Sequence, residues 1–405
     1  MTSFTSSATA RQVPHSARLT RVLIVHNAYQ LRGGEDAVVE AECDLLRRHG
    51  HAVELFQRHN DALALVSPAS AAMDTIWSRR SVAALRASVQ EFQPDVVHFH
   101  NTFPLLSPAA YWVVREANLP VVQTLHNFRL HCPQAMYLRD GKVCEDCLGK
   151  LPWRSVQHGC YRGSRAQSAV VTGMLAVHRA LGTYRNKVTR YIALNDFCRR
   201  KFIDGGLPAA RIVVKPNFVD LPPPPLTRRE GFLFVGRLSA EKGIAVLVDA
   251  WNLQMGGILR VAGTGPASHL LDGIDHLTAL GALPVEAVQS EMASAVALLM
   301  PSICYDSFPR TLVEAYACAL PVIGSRLGPL AELIEDGITG LLFEPSNAVD
   351  FAQKMEWALA HPERMAEMGR NARAVYEVHY AAEHNYQQLI AIYADAITAG
   401  VKEAQ

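Results

Sequence analysis

Two acids, Asp306 and Glu314, stand eight positions apart in YDSFPRTLVEA, directly after the apolar run AVALLMP. Two cations, Arg237 and Lys242, stand five apart in VGRLSAEKG, directly after the apolar run FLFV. In isolation each pair reads as ordinary surface charge: a loop acid with a helix acid, a strand-end arginine with a helix-start lysine. Together they could do one kind of chemistry. Fixed cations stabilise developing negative charge, and carboxylates accept hydrogen bonds from hydroxyl or amide groups. A lysine at a helix start is disfavoured by the helix dipole, so Lys242 needs a reason to be there. Ser307 as an N-cap and Pro309 in the first turn predict a helix that begins near Phe308, its free N–H groups available to an anion.

The elements that must position these residues alternate throughout the chain. RVLIV, AVELF, DVVHFH, PVVQTLH, TRYIAL and RIVVKP read as strands in the first half, and GFLFVGRL, GILRVAG, IDHLTALG, AVALLMPS and LPVIGS in the second. Amphipathic helical patterns such as EDAVVEAECDLLRRHG lie between them, the mark of parallel sheets covered by helices. Leu221 and the four prolines after it continue neither a helix nor a central strand, and so read as a connector. The expected division is a disordered leader over 1–20, a first Rossmann-like domain over 21–218, a second over 219–378, and a final helix over 379–405 that is a candidate to pack back on the first domain. At 405 residues the chain is long enough for two separate cores. Two such sheets would face each other across a cleft at their strand C-terminal ends.

These stretches together resemble the retaining glycosyltransferases of family 4, with the GT-B fold. Asp306 and Glu314 match the E-x7-E signature, within a match that runs from PSICYDSF to GLLFEP. VGRLSAEKG matches the donor-phosphate motif, AGTGP (262–266) a Gly-rich turn, and the stretch from LGALP to LLMPS the nucleotide-binding segment. Gly33-Gly34 and the TLHN of 124–127 fit as well.

The resemblance implies an α/β fold of two doubly wound domains and transfer of a sugar from a UDP- or GDP-sugar to a glycan or lipid-linked acceptor. The catalytic set it implies is His126, Arg237, Lys242, Asp306 and Glu314. Donor contacts are expected from Gly33, Gly34, Gly236, Gly263, Gly265, Leu283, Ser307, Phe308, Pro309, Arg310 and Thr311. The chain departs from the pattern at Asp306, where the family has Glu; the carboxylate reaches about 1.5 Å less far from the backbone. A GT-B-fold sugar-nucleotide epimerase and a non-catalytic nucleotide-sugar-binding scaffold are the rival readings. No DxD-like pair stands at a strand end, so no catalytic metal is expected.

Four of the eight cysteines crowd one insert, 131–160: Cys132, Cys144, Cys147 and Cys160, spaced C-x11-C-x2-C-x12-C. This set can furnish four tetrahedral ligands to a structural zinc; free thiols, disulfides or an iron–sulfur centre are the alternatives.

The net charge of +1 hides an asymmetry: 27 Lys+Arg against 17 Asp+Glu through Asp220, and 12 against 21 beyond it. The basic half could meet anionic lipid, with the stretch from Trp77 through Arg80, Val82, Leu85 and Arg86 as a candidate interfacial helix. Nucleic acid is not expected, since no basic stripe interleaves with aromatics. Without a secretory signal or an apolar run long enough to span a bilayer, the expected location is cytoplasmic, at the inner membrane face if the surface binds lipid.

Overall fold

The computed structural model describes residues 19–30, 32–222, 227–253 and 256–404. The leader through residue 18 and connector residues 223–226 lie outside them.

The first domain contains β1 (Arg21–Ala28), β2 (Ala52–His59), β3 (Val96–Phe99), β4 (Val121–Leu125), a small hairpin of β5 (Leu138–Arg139) and β6 (Lys142–Val143), then β7 (Arg190–Ala193) and β8 (Ile212–Val214). All but the hairpin form one parallel sheet in the order β2-β1-β3-β4-β7-β8. The second domain contains β9 (Phe232–Val235), β10 (Leu259–Ala262), β11 (Leu277–Gly281), β12 (Ala297–Met300), β13 (Val322–Ser325) and β14 (Gly340–Phe343). These form a second parallel sheet in the order β11-β10-β9-β12-β13-β14. Two doubly wound α/β domains are therefore present, each with a strand-order reversal beside its first strand, where ligands of open sheets bind.

The central strands are buried along their whole length: Val22 to Val25, Val96 and Val97, Leu298, Leu299, Val322 and Ile323 are all at most 1% exposed. Continuous β-branched and leucine runs suit strands covered on both faces. The edge strand β11 alternates less and is half open.

The C-terminal helix (Ala382–Ala404) leaves the second domain and lies on the first sheet. Tyr386, Leu389, Ile392, Tyr393 and Ala396 pack with Val22, Ile24, Val96, Val122 and Ile192 in one apolar cluster. The same helix places Asn385 and Tyr393 against buried polar groups of the first domain, at Lys215 and His98.

The helix over Arg79–Phe92 directs its apolar side inward. Leu85 and Val89 lie in the first core, Arg86 pairs with Glu116 at 2.7 Å, and Trp77 stacks on His178. Leu85 and Val89 therefore serve domain packing, while Trp77 stays 37% exposed. Among the described residues no helix is long and apolar enough to cross a membrane.

Candidate active site between the two sheets

Each functional side chain follows a strand C-terminus. β9 ends at Val235, Gly236 follows with φ 157°, and Arg237 stands exposed beyond it, with no ion-pair partner among the described residues. The chain then makes a short turn over Ala240–Lys242, and Gly243 (φ 72°) breaks it before the helix Ile244–Leu253. Lys242 thus precedes the helix, outside its first turn. A Cβ at Gly243 would lie 1.9 Å from the Pro301 carbonyl oxygen, so the glycine lets this turn press against the loop after β12.

That close approach brings Lys242 to Asp306. Lys242 Nζ lies 2.7 Å from Asp306 Oδ1, and Ser302 Oγ donates to Asp306 Oδ2 at 2.7 Å. The shorter acid therefore reaches a cation in its own domain. Burial alone would lower the Lys242 pKa, but the Asp306 carboxylate outweighs it and raises it, keeping the ammonium charged.

The helix carrying Glu314 begins at Arg310, later than the sequence suggests, with Pro309 at its N-cap and no side-chain cap bond. Ser307 is not its cap. Ser307 Oγ instead donates to the His126 carbonyl of the other domain, and the Ser307 carbonyl accepts from Asn195 Nδ2 at 2.7 Å. One loop therefore ties the two strand-end clusters together. Its neighbour Tyr305 donates to Glu145 Oε1 at 2.9 Å and sets its ring against Phe197, 4.8 Å between centroids. Phe308 turns the other way, onto Tyr380. Pro309 is buried, Thr311 half-buried, and Leu283 sits half-buried in the loop after β11.

Glu314 keeps a 14% exposed side chain and pairs with Arg310 at 2.9 Å. Burial raises its pKa above the usual carboxylate value, partly offset by the Arg310 guanidinium.

The glycines divide into two kinds. A Cβ at Gly263 would lie 1.8 Å from the Gly236 oxygen, and one at Gly265 2.2 Å from the Leu238 oxygen. Those two are required by packing between the loops after β9 and β10. A Cβ at Gly34 would meet nothing within 4 Å, and Gly33 and Gly34 both lie outside the left-handed region. Nothing among the described residues demands glycine at 34. The helix Gly34–Arg48 starts there, and Asp36 fixes the loop by accepting from Gly33 N at 2.7 Å and contacting His26 Nε2 at 2.8 Å.

His126 follows β4 and is 7% exposed. With His100, Asn101, Tyr111 and Asn127 it lines a small cavity of about 50 Å³ beyond β3 and β4. Asn127 donates to Glu35 Oε1 at 2.8 Å, and the Tyr29 hydroxyl donates to Glu35 Oε2 at 2.8 Å. Burial raises the Glu35 pKa, offset by those two hydrogen bonds. Sequence reasoning passed over Glu35, Tyr305 and Asn195; for Glu35 the signal was available, since it directly follows the singled-out glycines.

The four cysteines of the insert line one small cavity with Arg139, Asp146 and Arg154 around it, and all are free thiols. Cys132 and Cys147 are buried, and burial pushes the Cys147 thiol up to about 11. Their sulfurs are not drawn together: among the described residues the one set of three ligating atoms within 4.8 Å is Glu42, His98 and His100.

The description "Glycosyltransferase Family 4" matches residues 32–222, and "Glycosyl transferases group 1" matches residues 224–375. The D-rhamnosyltransferase WbpZ of Pseudomonas aeruginosa is 31% identical over 159 residues, 37% of this chain and 42% of that protein. The chain thus spans about two fifths of that curated relative's length. Sucrose-phosphate synthase of Thermosynechococcus elongatus superposes with a TM-score of 0.71 at 18% identity, covering 94% of this chain and all of that one. Anabaena HepE in complex with UDP-glucose gives 0.63 at 17% identity over 92% and 98% of the two chains. With both halves matched in register and two Rossmann-like sheets facing one another, the chain belongs to the family 4 glycosyltransferases of the GT-B fold.

Proposed function

We propose that the protein is a retaining, metal-independent glycosyltransferase that moves a sugar from a UDP- or GDP-sugar to a glycan or lipid-linked acceptor. The observation that carries the reading is the Lys242–Asp306 pair beyond β9 and β12, with Arg237 exposed after β9, Glu314 on the helix that follows Asp306, and His126 joined to the Asp306 loop through Ser307. The UDP-glucose held by a protein of the same fold, and the sugar transfer named for the rhamnosyltransferase relative, support a nucleotide-sugar donor.

In this reading the bond from the anomeric carbon to the diphosphate oxygen breaks as the bond to the acceptor oxygen forms on the same face. The acceptor proton passes to the departing phosphate oxygen. Arg237, which has no ion-pair partner among the described residues, and Lys242 offset the charge that builds on the diphosphate. Glu314 accepts from the ribose hydroxyls, Asp306 faces the sugar, and Gly34 leaves room for the ligand to approach the helix start. His126 touches the sugar ring from the first domain.

A transfer assay over a panel of nucleotide sugars, with and without chelator, tests the whole. Donor-dependent transfer insensitive to chelation is expected. Interconversion of the donor without an acceptor, or activity restored only by a divalent cation, would contradict it.

For the insert we propose a structural zinc held by Cys132, Cys144, Cys147 and Cys160. Support comes from four free thiols around one cavity and two arginines beside it; binding would draw the sulfurs inward. Metal content near one zinc per chain is expected, and none above background overturns it. Contact of the basic half with anionic lipid remains a proposal resting on charge alone, tested by vesicle flotation at low and high salt.

A further inference from the structure

The first domain buries an unusual amount of titratable chemistry that the transfer reaction as described leaves unused. Glu42 and Lys215 are fully buried and paired at 2.8 Å, and Lys215 also donates to Asn385 Oδ1 at 2.9 Å. Beside them His100 Nε2 faces Glu42 Oε2 at 3.4 Å, and neither atom has a hydrogen-bond partner among the described residues. His100 Nδ1 lies 2.8 Å from His126 Nε2, and the two rings stack. His98 completes the cluster, bonded to Tyr393 and Thr124, each at 2.8 Å.

Glu42, His98 and His100 converge closely enough to hold a cation. The place is already served: Lys215 gives Glu42 its counter-charge, and the other ligating nitrogens face Tyr393, Thr124 and His126. Burying so many polar groups is weak evidence for stability, because hydrophobic packing of equal volume commonly does as well. The arrangement instead has a direction, from the C-terminal helix to His126.

Its proton logic is determined. Lys215 balances Glu42, so the three imidazoles have no excess negative charge to neutralise, and burial depresses the pKa of each. A carboxylate only accepts, so the proton of neutral His100 sits on Nε2, toward Glu42. His100 Nδ1 is then an acceptor, and the 2.8 Å contact must be donated by His126 Nε2. His126 Nδ1, which has no hydrogen-bond partner among the described residues, is left as a bare acceptor.

We propose that Glu42 and His100 are positioning residues for the transfer reaction, holding His126 as the Nε2–H tautomer so that its Nδ1 accepts a hydrogen bond from a hydroxyl of the sugar ring. The proposal rests on the reading that His126 touches that ring. The same chain explains why the C-terminal helix crosses back: Asn385 and Tyr393 close the network that orients a side chain in the cleft.

The imidazole ¹⁵N spectrum of the wild-type protein at neutral pH tests the relay without any variant. His126 protonated at Nε2 and bare at Nδ1 is expected; the reverse tautomer, or an even mixture, overturns the proposal. The second arm is a cycle of H100F, H126A and the double variant, read as kcat and KM for sugar transfer. H100F is expected to lower kcat about 10- to 100-fold, as loss of a group that orients an imidazole commonly does. The double variant should then be no slower than H126A. Losses that multiply would mean that His100 acts by another route, and would also overturn the proposal. If H126A transfers at full rate while the spectrum shows the expected tautomer, the relay stands and the sugar-contact reading of His126 fails.

Discussion

The two sides of the cleft solve different problems with charge. On the second domain the working cations and acids come from two short stretches, 235–243 and 301–314, and remain accessible: Lys242 is 30% exposed and Arg237 is open. On the first domain the titratable groups are sealed, with Glu42, His98 and Lys215 at zero exposure, and these three are gathered from three separate parts of the fold, the first helix, β3 and the end of β8. An open, partly paired charge can exchange its partner for a ligand. A sealed one cannot, and can act only by fixing the orientation of a neighbour. The donor side is therefore expected to reveal itself through activity, and the first domain through stability and side-chain orientation.

The sharpest break in that contrast is Glu42→Ala. It strands the Lys215 ammonium in the core, and removing one partner of a buried pair typically costs about 3–5 kcal/mol. Urea unfolding should show that loss, with part of it recovered in the Glu42→Ala/Lys215→Met double variant. A loss below about 1 kcal/mol would mean the pair is not sealed. The pH dependence follows the same group. Burial works against the Glu42 carboxylate, but Lys215 and His100 outweigh it and hold its pKa well below the usual range. A depressed acid stabilises the fold fully above its unfolded pKa, about 4.3, and loses that contribution as pH falls through the folded value. The wild type should therefore lose stability more steeply below about pH 4.3 than the double variant does.

Lys242→Ala should leave unfolding nearly unchanged and reduce kcat by about 100- to 1000-fold, the usual cost of one preorganised donor at a developing anion. A similar kcat with a merely raised KM would assign Lys242 to ground-state binding instead. Glu314→Gln is expected to weaken donor binding by about 1.5–3 kcal/mol, the range for hydrogen bonds to a charged group, read by calorimetry with the nucleotide diphosphate. Tyr305→Phe should do least. It removes one inter-domain hydrogen bond, the contact to Glu145, and about 0.5–1.5 kcal/mol with it. A thermal-shift change of several degrees would show that this loop holds the domains together more tightly than one bond implies.

The same contrast decides what could be read from the chain in advance. Strands such as RVLIV and AVALLMPS announce themselves because both faces are buried, and the donor motifs are contiguous. β14 escaped notice: GLLF is short, and it pairs with β13 only because Gly340 lacks a Cβ that would lie 2.1 Å from the Val322 oxygen. Ser307 carried a local cap signal, yet its hydroxyl serves the other domain, because a bond across the cleft satisfies it equally well. After Trp77, Leu85 and Val89 turn inward, since apolar spacing alone does not say whether a helix faces lipid or its own core. The Glu42–His100–His126 chain had no sequence signal. Its members lie on the first helix and after β3 and β4, and only the topology of the parallel sheet makes them neighbours.

The most direct test of the account is a crystal structure with a UDP- or GDP-sugar bound. The diphosphate is expected within hydrogen-bonding distance of Arg237 and Lys242, the ribose at Glu314, and the sugar ring between Asp306 and His126. A nucleotide seated away from these residues, with the Lys242–Asp306 pair untouched, would contradict it.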